Sequence, residues 1–465
     1  MEQFFHLKEK GTTVKTEILA GLTTFMAMAY ILMVNAGIFS NLGVVSYNAI
    51  YIATALSAII GTVLIGLMAG LPMAQAPGMG VNAFVVFTIC FAFGFSYQNA
   101  MVMVLLDGIV FVILTVTGAR KALFKAIPQA VKVIIPAGIG LFIAYIGLQN
   151  AGIIIPNEST ASSFVSLNFL TGTATWSSIM PILVTFASII LIAVLAKKNV
   201  KGAVLIGILG GAVLYYALGF TIPHFYEGFF EGFSFNPFHA FKEFGDMAFL
   251  QVFKSGFDFS GYIAEHGATN FILVLVTTSL SLCIVDCFDT IGTLFGACAR
   301  GGLLTKDGEV PNMNKAMLAD AIATCTGAMC GVSTVTTFVE SSAGVAEGGK
   351  TGLTSLTTAA LFLVVMFFAP LASLIPSCAT AAALVYVGVL MMNGVRDVDW
   401  TDAAIAVPAF LTIVVMAFGY NISYGIGIGV ISYTLVELFR GKAKEIHPVT
   451  WVLDVLFLAM FLLSH

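Results

Sequence analysis

Long apolar runs recur from one end of this 465-residue chain to the other. A run of about 20 apolar residues is long enough for a helix to cross a hydrocarbon core of about 30 Å. Only 9% of the residues are charged, whereas a soluble globular chain carries about 25%. The mean hydropathy of +1.00 agrees with this pattern. The sequence therefore predicts a membrane protein with many spans, of which the clearest are 47–70, 101–118, 179–196 and 354–372.

The remaining composition excludes several classes of partner. A formal net charge of −4 and a pI of about 5.9 argue against a nucleic-acid partner. Most of the seven cysteines lie in apolar stretches as small core residues, so we predict neither a disulfide framework nor a metal site. The charged segment 1–17 lacks the apolar core and small-residue cleavage site of a signal peptide. The first span should therefore be retained.

The basic residues indicate how the chain is oriented. Hydrophobic runs between polar breaks suggest fourteen spans. With a cytoplasmic amino terminus, all 20 Lys and Arg residues except Lys242 and Lys254 fall on the cytoplasmic side. The positive-inside rule therefore favours an even number of crossings with both termini cytoplasmic. Counting the last apolar run, 449–463, as a span would put the carboxyl end outside, so we interpret it as an interfacial or packed helix.

The longest non-membrane stretch, 220–267, divides the predicted spans into two halves of seven. We expect it to form an extracellular loop of short amphipathic helices that covers the bundle. Because seven is an odd number, the second half is inverted relative to the first. Inverted-topology repeats are typical of transporters that bind substrate near the membrane midplane.

The third and tenth spans occupy equivalent positions in the two halves, and both are interrupted. The third carries Pro72, Pro77, Gly78 and Gly80, and the tenth is the short Thr-rich run 333–344. A β-branched run favours extended backbone over helix. Broken backbone at membrane depth is tolerated only where protein or a polar cavity satisfies it. These two segments are therefore the best sequence indication of a binding site.

Acidic residues in apolar stretches are the main candidates for chemistry. A carboxylate at membrane depth costs about 2.5–3.5 kcal/mol unless it faces a partner or a water-filled cavity. Glu340 has no Lys or Arg in its own segment, so desolvation favours its neutral form and it could take and release a proton. Asp286 and Asp289 are spaced for one helix face, with a structural pair capped by hydroxyls as the alternative. Asp107 either handles protons or bonds to a neighbouring broken helix.

The other polar and aromatic candidates each have a structural alternative. Asn82 follows the proline–glycine break and either contacts ligand or caps a helix. Phe84 and Phe338 flank polar positions and either stack on a flat ring or simply pack. Asp320 and Glu347 are expected nearer the cytoplasmic ends, where they either snorkel or pair with Lys315 or Lys350.

Catalytic patterns are absent from the sequence. There is no zinc-binding helix with paired histidines, no Gly-x-Ser-x-Gly elbow and no phosphate-binding loop. An intramembrane enzyme would need a nucleophile–base pair at membrane depth, but the histidines all lie in loops or at the ends: His6, His224, His239, His266, His447 and His465. Without a nucleotide-binding loop, ion-coupled or passive transport without a cofactor is the expected function, and a channel is a further alternative.

Five sequence blocks, in this order, resemble the nucleobase:cation symporter-2 superfamily and specifically its AzgA-like purine permeases. The blocks are AGLTTFMAMAY (20–30), APGMGVNAF (76–84), FDTIGT (288–293), LADA (318–321) and TFVESSAG (337–344). The match extends from 11–17 to the fourteenth span.

The resemblance implies an all-α polytopic membrane protein. Its fourteen segments form two inverted seven-segment repeats, with short strands in segments 3 and 10. A cytoplasmic amino terminus would be followed by core and gate domains, an extracellular loop, and a cytoplasmic tail with an interfacial helix. A homodimer through the gate domains is plausible. The implied boundaries are 1–16 for the amino terminus, 17–130 and 269–372 for the core, 131–219 and 373–440 for the gate, 220–268 for the loop and 441–465 for the tail.

The resemblance also implies proton-coupled uptake of purine bases, guanine or hypoxanthine and/or adenine, across the cytoplasmic membrane by alternating access. By motif, Asp289 and Glu340 would bind the base together with Asn82, and span one would contribute around Thr24. Sister families have a Gln-His pair where this chain has Thr23-Thr24. Carboxylates suit the N–H donors of neutral purines, because charge-assisted hydrogen bonds are strong in a dry site. Glu340 or Asp289 would take up the coupling proton.

An anion permease of the sulfate-transporter-like fold is the main alternative, because it shares the broken spans. An anion site, however, is expected to offer helix amino ends and a cation. Here Asp289 and Glu340 would repel an anion.

Overall fold

The computed structural model describes residues 2–118, 127–170, 172, 174–227 and 234–463. Arg120, Lys121 and Lys125, which the topology prediction counts as cytoplasmic, lie outside these residues. In sequence order, the helices of the first half are α1 (Val14–Met28), α2 (Ile31–Ser40), α3 (Tyr47–Met68), α4 (Met79–Ala83, continued as a π-helix over Phe84–Ala92), α5 (Tyr97–Thr117), α6 (Gln129–Asn150), α7 (Trp176–Lys197) and α8 (Ala203–Gly219).

The second half contains the longest helix of the described residues, α12, and the site-bearing segment α14. Its helices are α9 (Pro237–Met247), α10 (Gln251–Lys254), α11 (Ser260–His266), α12 (Ala268–Arg300), α13 (Met313–Cys330), α14 (Ser341–Ala346), α15 (Gly352–Val365), α16 (Ala369–Ala372), α17 (Ser377–Met391), α18 (Ala403–Phe418), α19 (Ile422–Phe439) and α20 (Pro448–Leu463). Short 3₁₀ turns cover Met366–Phe368, Met392–Asp397 and Ala443–Glu445.

Two small sheets complete the described structure. Strand β1 (Gln75–Pro77) pairs with β4 (Val335–Thr337), and β2 (Ile154–Asn157) pairs with β3 (Ala161–Phe164). Nine helical segments of the described part are long and apolar enough to cross a membrane. Four shorter apolar helices accompany them. The chain is therefore a mostly helical, multi-pass membrane protein.

The helices pack in two groups, which we call the larger and the smaller bundle. In the larger bundle, α3 and α5 pack on α13, and α15 packs on both α1 and α3. In the smaller bundle, α6 packs on α17 and α18, while α7 and α8 pack on α17. The larger bundle comprises α1–α5 and α12–α15, and the smaller comprises α6–α8 and α17–α19. The bundles meet where α2 contacts α17, α4 contacts α6 and α12 contacts α19.

Glycine allows backbone contact within each bundle. A Cβ atom on Gly352 would lie 2.0 Å from the carbonyl oxygen of Gly66, so α15 and α3 touch through their main chains. In the smaller bundle, a Cβ atom on Gly388 would lie 2.5 Å from the carbonyl oxygen of Gly140. Such small-residue contacts let membrane helices gain van der Waals packing that lipid tails cannot replace.

A buried carboxylate fixes the first helix to α15. Glu17 is fully buried and accepts hydrogen bonds from the backbone amides of Lys350 (2.9 Å) and Thr351 (3.2 Å) and from the hydroxyl of Thr354 (2.6 Å). A helix amino terminus presents unpaired N–H groups and a partial positive charge, which a carboxylate satisfies. This contact sets the position of α1 relative to the segment that carries Glu340.

The described part of the 220–267 stretch contains short helices, as the sequence suggests. Helix α9 packs on α3, and the hydroxyl of Ser46, just before α3, donates a 2.7 Å hydrogen bond to Glu243. The stretch therefore covers one end of the larger bundle.

The last helix is the packed one of the two alternatives, interfacial or packed, that the sequence leaves open. The rings of Phe461 and Tyr424 lie 5.3 Å apart, and a Cβ atom on Gly427 would lie 2.8 Å from Phe457. Because Tyr424 and Gly427 belong to the first part of α19, α20 runs antiparallel along α19. Helix α20 is therefore a packed helix that turns back along its neighbour.

We expect Gly352→Ala to weaken the contact between α15 and α3, because the added methyl group has no space. Overpacking of this kind costs about 1–3 kcal/mol. Thermal unfolding of the purified protein in detergent would show a lower midpoint. Gly296→Ala on α12 is the matched control, since nothing lies within 4 Å of its added Cβ atom. Equal midpoints for the two variants would contradict the expectation.

Candidate substrate-binding site

The two interrupted spans are joined by the antiparallel pair β1–β4. Gln75 pairs with Thr337, and Pro77 pairs with Val335. Two further hydrogen bonds extend the ladder. The amide of Gly78 donates to the carbonyl of Thr334 (2.9 Å), and the amide of Phe338 donates to the carbonyl of Ala74 (3.0 Å). The short strands expected in segments 3 and 10 are present and satisfy one another's backbone groups. Helices α4 and α14 then start from this sheet.

Glycine at the end of β1 brings the smaller bundle close to the sheet. A Cβ atom on Gly80 would lie 2.3 Å from Cγ2 of Ile139 on α6, and one on Gly78 would lie 3.1 Å from the Thr336 hydroxyl. Pro77 has no N–H to satisfy at the strand end. The Pro-Gly-Met-Gly sequence thus ends the strand, starts α4 and lets α6 pack against it.

Two adjoining cavities lie where the bundles meet. Both are small, and one is larger than the other. Both are lined by Gly80, Asp289 and Met391. The larger cavity is also lined by Tyr30, Gly78, Met79, Thr337, Phe338, Val339, Glu340 and Val387.

Asp289 and Glu340, which the sequence places on different spans, face the larger cavity together. Oδ2 of Asp289 accepts a 3.2 Å hydrogen bond from the hydroxyl of Thr336. Oε1 of Glu340 accepts a 2.6 Å hydrogen bond from the hydroxyl of Tyr30. Among the described residues that line the two cavities, none is basic. The site is therefore polar and acidic, with apolar walls.

The other predicted site residues divide into two groups. Phe338 lines the cavity. Asn82, Phe84 and Thr24 are buried and do not line either cavity. Asn82 donates to the carbonyl of Pro77 at 3.2 Å and accepts from the hydroxyl of Ser333. It therefore holds α4 to both broken segments.

Span one contributes Tyr30 to the cavity in place of Thr24. The Thr24 hydroxyl lies against Gly344 on α14 and has no hydrogen-bond partner among the described residues. Tyr30 lies at the junction between α1 and α2. The sequence does carry a signal for it, because a buried phenol needs an acceptor and Glu340 has no cation in its own segment.

Asp320 lies directly behind the sheet and is fully buried. Its Oδ1 accepts hydrogen bonds from the side chains of Gln75 (2.8 Å) and Thr290 (2.9 Å). The expected pairing of Asp320 with Lys315 is therefore wrong, because α13 turns this carboxyl group inward. Glu347 forms its ion pair with Lys201 at 2.8 Å, across the two bundles, rather than with Lys350.

Three carboxyl groups form a buried acid cluster beside the sheet: Asp107, Asp286 and Asp320. All three are fully buried, and Asp286 interacts electrostatically with both of the others. Asp107 accepts a 3.1 Å hydrogen bond from the hydroxyl of Thr334. Like charges in a low-dielectric interior cannot all remain ionised. The cluster must therefore hold protons.

A family model described as a permease family matches residues 15–428 of this chain. The chain belongs to the nucleobase:cation symporter-2 family. It is 41% identical to the guanine/hypoxanthine permease PbuO of Bacillus subtilis (97% of this chain and 98% of that protein). It is 40% identical to a putative permease of Methanocaldococcus jannaschii (99% and 98%) and 36% identical to the adenine permease AdeP of Escherichia coli (98% and 95%). The protein is thus a permease rather than an enzyme.

Solved structures show the same fold at low sequence identity. The transmembrane domain of the cyanobacterial bicarbonate transporter BicA aligns with a TM-score of 0.60 at 15% identity, covering 90% of this chain and 97% of that one. The murine anion transporter Slc26a9 aligns with a TM-score of 0.61 at 13% identity, covering 91% and 68%. The permease therefore shares its architecture with these transporters.

We expect Asp320→Asn to preserve the fold of the permease and Asp320→Leu to disrupt it. The donors from Gln75 and Thr290 both address Oδ1, which the amide oxygen of Asn can replace. Leu would leave buried donors unsatisfied at a cost of about 1–3 kcal/mol each. Size-exclusion chromatography and thermal unfolding in detergent would measure the difference. Equal behaviour of the two variants would show that these hydrogen bonds do not support the sheet.

Proposed function

We propose that this permease carries purine nucleobases into the cell together with protons, by alternating access across the cytoplasmic membrane. The observation that carries the proposal is the convergence of Asp289, Glu340 and Phe338 on one cavity between the bundles. The names of the relatives support it, since PbuO is a guanine/hypoxanthine permease and AdeP an adenine permease.

The cavity chemistry suits a flat, neutral base. Guanine presents a ring and an exocyclic N–H donor side by side, which one carboxylate can accept together. Hypoxanthine offers ring N–H donors, and adenine offers its amino group and a ring N–H. Phe338 offers an aromatic surface on which a ring can stack, and Val387 and Met391 form an apolar wall on the side of the smaller bundle. Asp289 and Glu340 would thus supply orientation while the apolar groups supply contact area.

The anion-permease alternative is less favourable on the same evidence. The fold neighbours include an anion transporter and a bicarbonate transporter, but likeness of fold does not determine the substrate. Two acids face the cavity here, and no Lys or Arg is found among the described residues that line it. An anion bound there would meet repulsion with no compensating cation.

The larger bundle fits the role of the core domain and the smaller that of the gate domain. Fourteen segments arranged as two inverted sevens would place β1 and β4 at equivalent positions, which agrees with their pairing at the site. A movement of the bundles against each other would open the cavity alternately to the two sides. A dimer through gate domains would hold the smaller bundles still during this movement.

Several acids are available to carry the coupled proton. Asp289 and Glu340 border the cavity, while Asp107 belongs to the buried acid cluster and reaches the sheet through Thr334. A proton gradient would drive uptake if protonation at one of these carboxyl groups accompanied binding of the base. No other cofactor is expected.

Purified permease in proteoliposomes should accumulate labelled hypoxanthine when an inward proton gradient is applied. We expect a protonophore to abolish accumulation. Competition by unlabelled adenine, guanine and xanthine would rank the preferred bases, with uracil and bicarbonate as weak competitors. Uptake that ignores the proton gradient, or that bicarbonate blocks and purines do not, would contradict the proposal.

We expect Asp289→Asn and Glu340→Gln each to abolish accumulation, because each removes an ionisable group from the cavity. Amounts of each variant in the membrane must match those of the wild-type protein. Glu445→Gln is a suitable control, since this acid is paired with Lys442 at the surface. Normal accumulation by both cavity variants would refute the assignment of the site.

A further inference from the structure

The hydrogen bond between Tyr30 and Glu340 distinguishes the two cavity acids. Tyr30 is fully buried, and its hydroxyl lies 2.6 Å from Oε1 of Glu340. An O–H···O⁻ bond to an ionised acceptor typically spans about 2.5–2.7 Å. A donor that is fixed in place stabilises the ionised carboxylate and holds it in one orientation.

Asp289 has a weaker and longer contact. The Thr336 hydroxyl lies 3.2 Å from its Oδ2, and a hydroxyl can rotate to donate or accept. The titratable groups that face Asp289 are Glu340 across the cavity, and Asp286 and Asp320 behind it. All of these are acids, so each one that is ionised favours a proton on Asp289.

We propose that Tyr30 is a positioning residue that keeps Glu340 ionised as the fixed acceptor for the base, and that Asp289 is the group that binds and releases the coupled proton. This inference rests on the proposed function and assigns separate roles to its two acids. Protonated Asp289 would lower the negative charge of the cavity before the base enters. Loss of that proton to the cytoplasm would restore the charge and complete the coupling.

The roles follow from what each carboxyl group must do. A proton-carrying group needs two protonation states of similar free energy, which a strong, fixed donor would prevent. A base-binding acceptor needs a constant charge and a constant orientation, which the phenol of Tyr30 provides. Thr336 can serve Asp289 in either state, because its hydroxyl can reverse its role.

Removal of the phenolic hydroxyl tests the first role. We expect Tyr30→Phe to raise the KM for hypoxanthine about tenfold or more, the usual effect of losing a hydrogen bond to a charged group. Its KM should also rise more steeply than that of the wild-type protein as the pH falls from about 7 to about 5, because a proton then competes more readily for Glu340. Tyr51→Phe is the matched control, since its hydroxyl donates to the carbonyl of Val365, away from the cavity.

The second role is tested by equilibrium binding of hypoxanthine to the purified variants over the same pH range. We expect Asp289→Asn to keep measurable binding that no longer depends on pH, and Glu340→Gln to lose binding. Binding by Glu340→Gln that no longer depends on pH, with no binding by Asp289→Asn, would reverse the assignment and overturn the inference. Failure of the wild-type protein to bind any purine would instead refute the proposed function itself.

A second inference rests on the last helix, independently of the site. Helix α20 has 16 residues, which corresponds to about 24 Å at 1.5 Å per residue. Its outward side is apolar along the whole length, whereas an interfacial helix carries a polar outward side. The exposed apolar residues are Trp451, Val452, Val455, Leu458 and Leu462, and the buried ones are Leu453, Phe457 and Met460.

We infer that α20 crosses the membrane and places the carboxyl terminus on the side opposite to Arg440. It packs on both α19 of the smaller bundle and α12 of the larger bundle, which carries Asp289. The helix would therefore span the junction of the two bundles from the lipid side and limit their relative movement. This crossing has no counterpart in the described part of the first half, so it lies outside the two proposed seven-segment repeats.

Reporter fusions in bacteria would test the crossing. We expect a green fluorescent protein fused after Glu445 to fluoresce and one fused after His465 to be dark. Alkaline phosphatase at the same two positions should show the reverse pattern, since it is active only outside the cytoplasm. Fluorescence at both positions would overturn the inference, because it would show that 441–465 lies on the cytoplasmic side.

Discussion

The pairing of β1 with β4 is the interaction on which the rest of the structure depends. Two segments that leave helical conformation at membrane depth expose N–H and C=O groups that lipid cannot satisfy. Here each strand provides the partner of the other, so neither broken segment is stable alone. The pairing also determines where α4 and α14 begin, and Glu340 lies at the start of α14. The strand pairing that satisfies these backbone groups therefore also positions the candidate site.

The electrostatics of the site follow from the same arrangement. The sheet lies between the cavity acids, Asp289 and Glu340, and the buried acid cluster. Threonine hydroxyls on β4 contact acids on both sides, as Thr336 does with Asp289 and Thr337 with Asp320. Because so many carboxyl groups share a low-dielectric interior, their protonation must be linked. The strand that lines the cavity thus also holds the buried acids behind it.

The sequence predicts the site in part, and the reason for the limit is physical. Intramembrane acids are costly, which identifies Asp289 and Glu340, and Pro, Gly and β-branched residues identify the broken spans. The roles of Tyr30 and Asp320 depend on hydrogen bonds between segments far apart in the chain, and no local pattern encodes those. The same limit applies to Thr24, because a sequence motif does not determine which face of α1 its side chain lies on. For helix α20 the sequence leaves two alternatives open, because an apolar run of 16 residues fits a packed helix as well as an interfacial one.

The likeness to anion transporters is a likeness of fold, and fold does not determine the substrate. The paired strands and the two bundles are properties of the fold, and they provide a cavity between the bundles. The sign of the charge in that cavity depends on a few side chains. Here the cavity is lined by acids, and the phenol of Tyr30 donates to one of them. An ionised carboxylate accepts hydrogen bonds from N–H donors and repels an anion, because like charges repel in a low-dielectric interior. The same backbone can therefore carry cavities of different charge, and here the negative charge comes from Asp289 and Glu340.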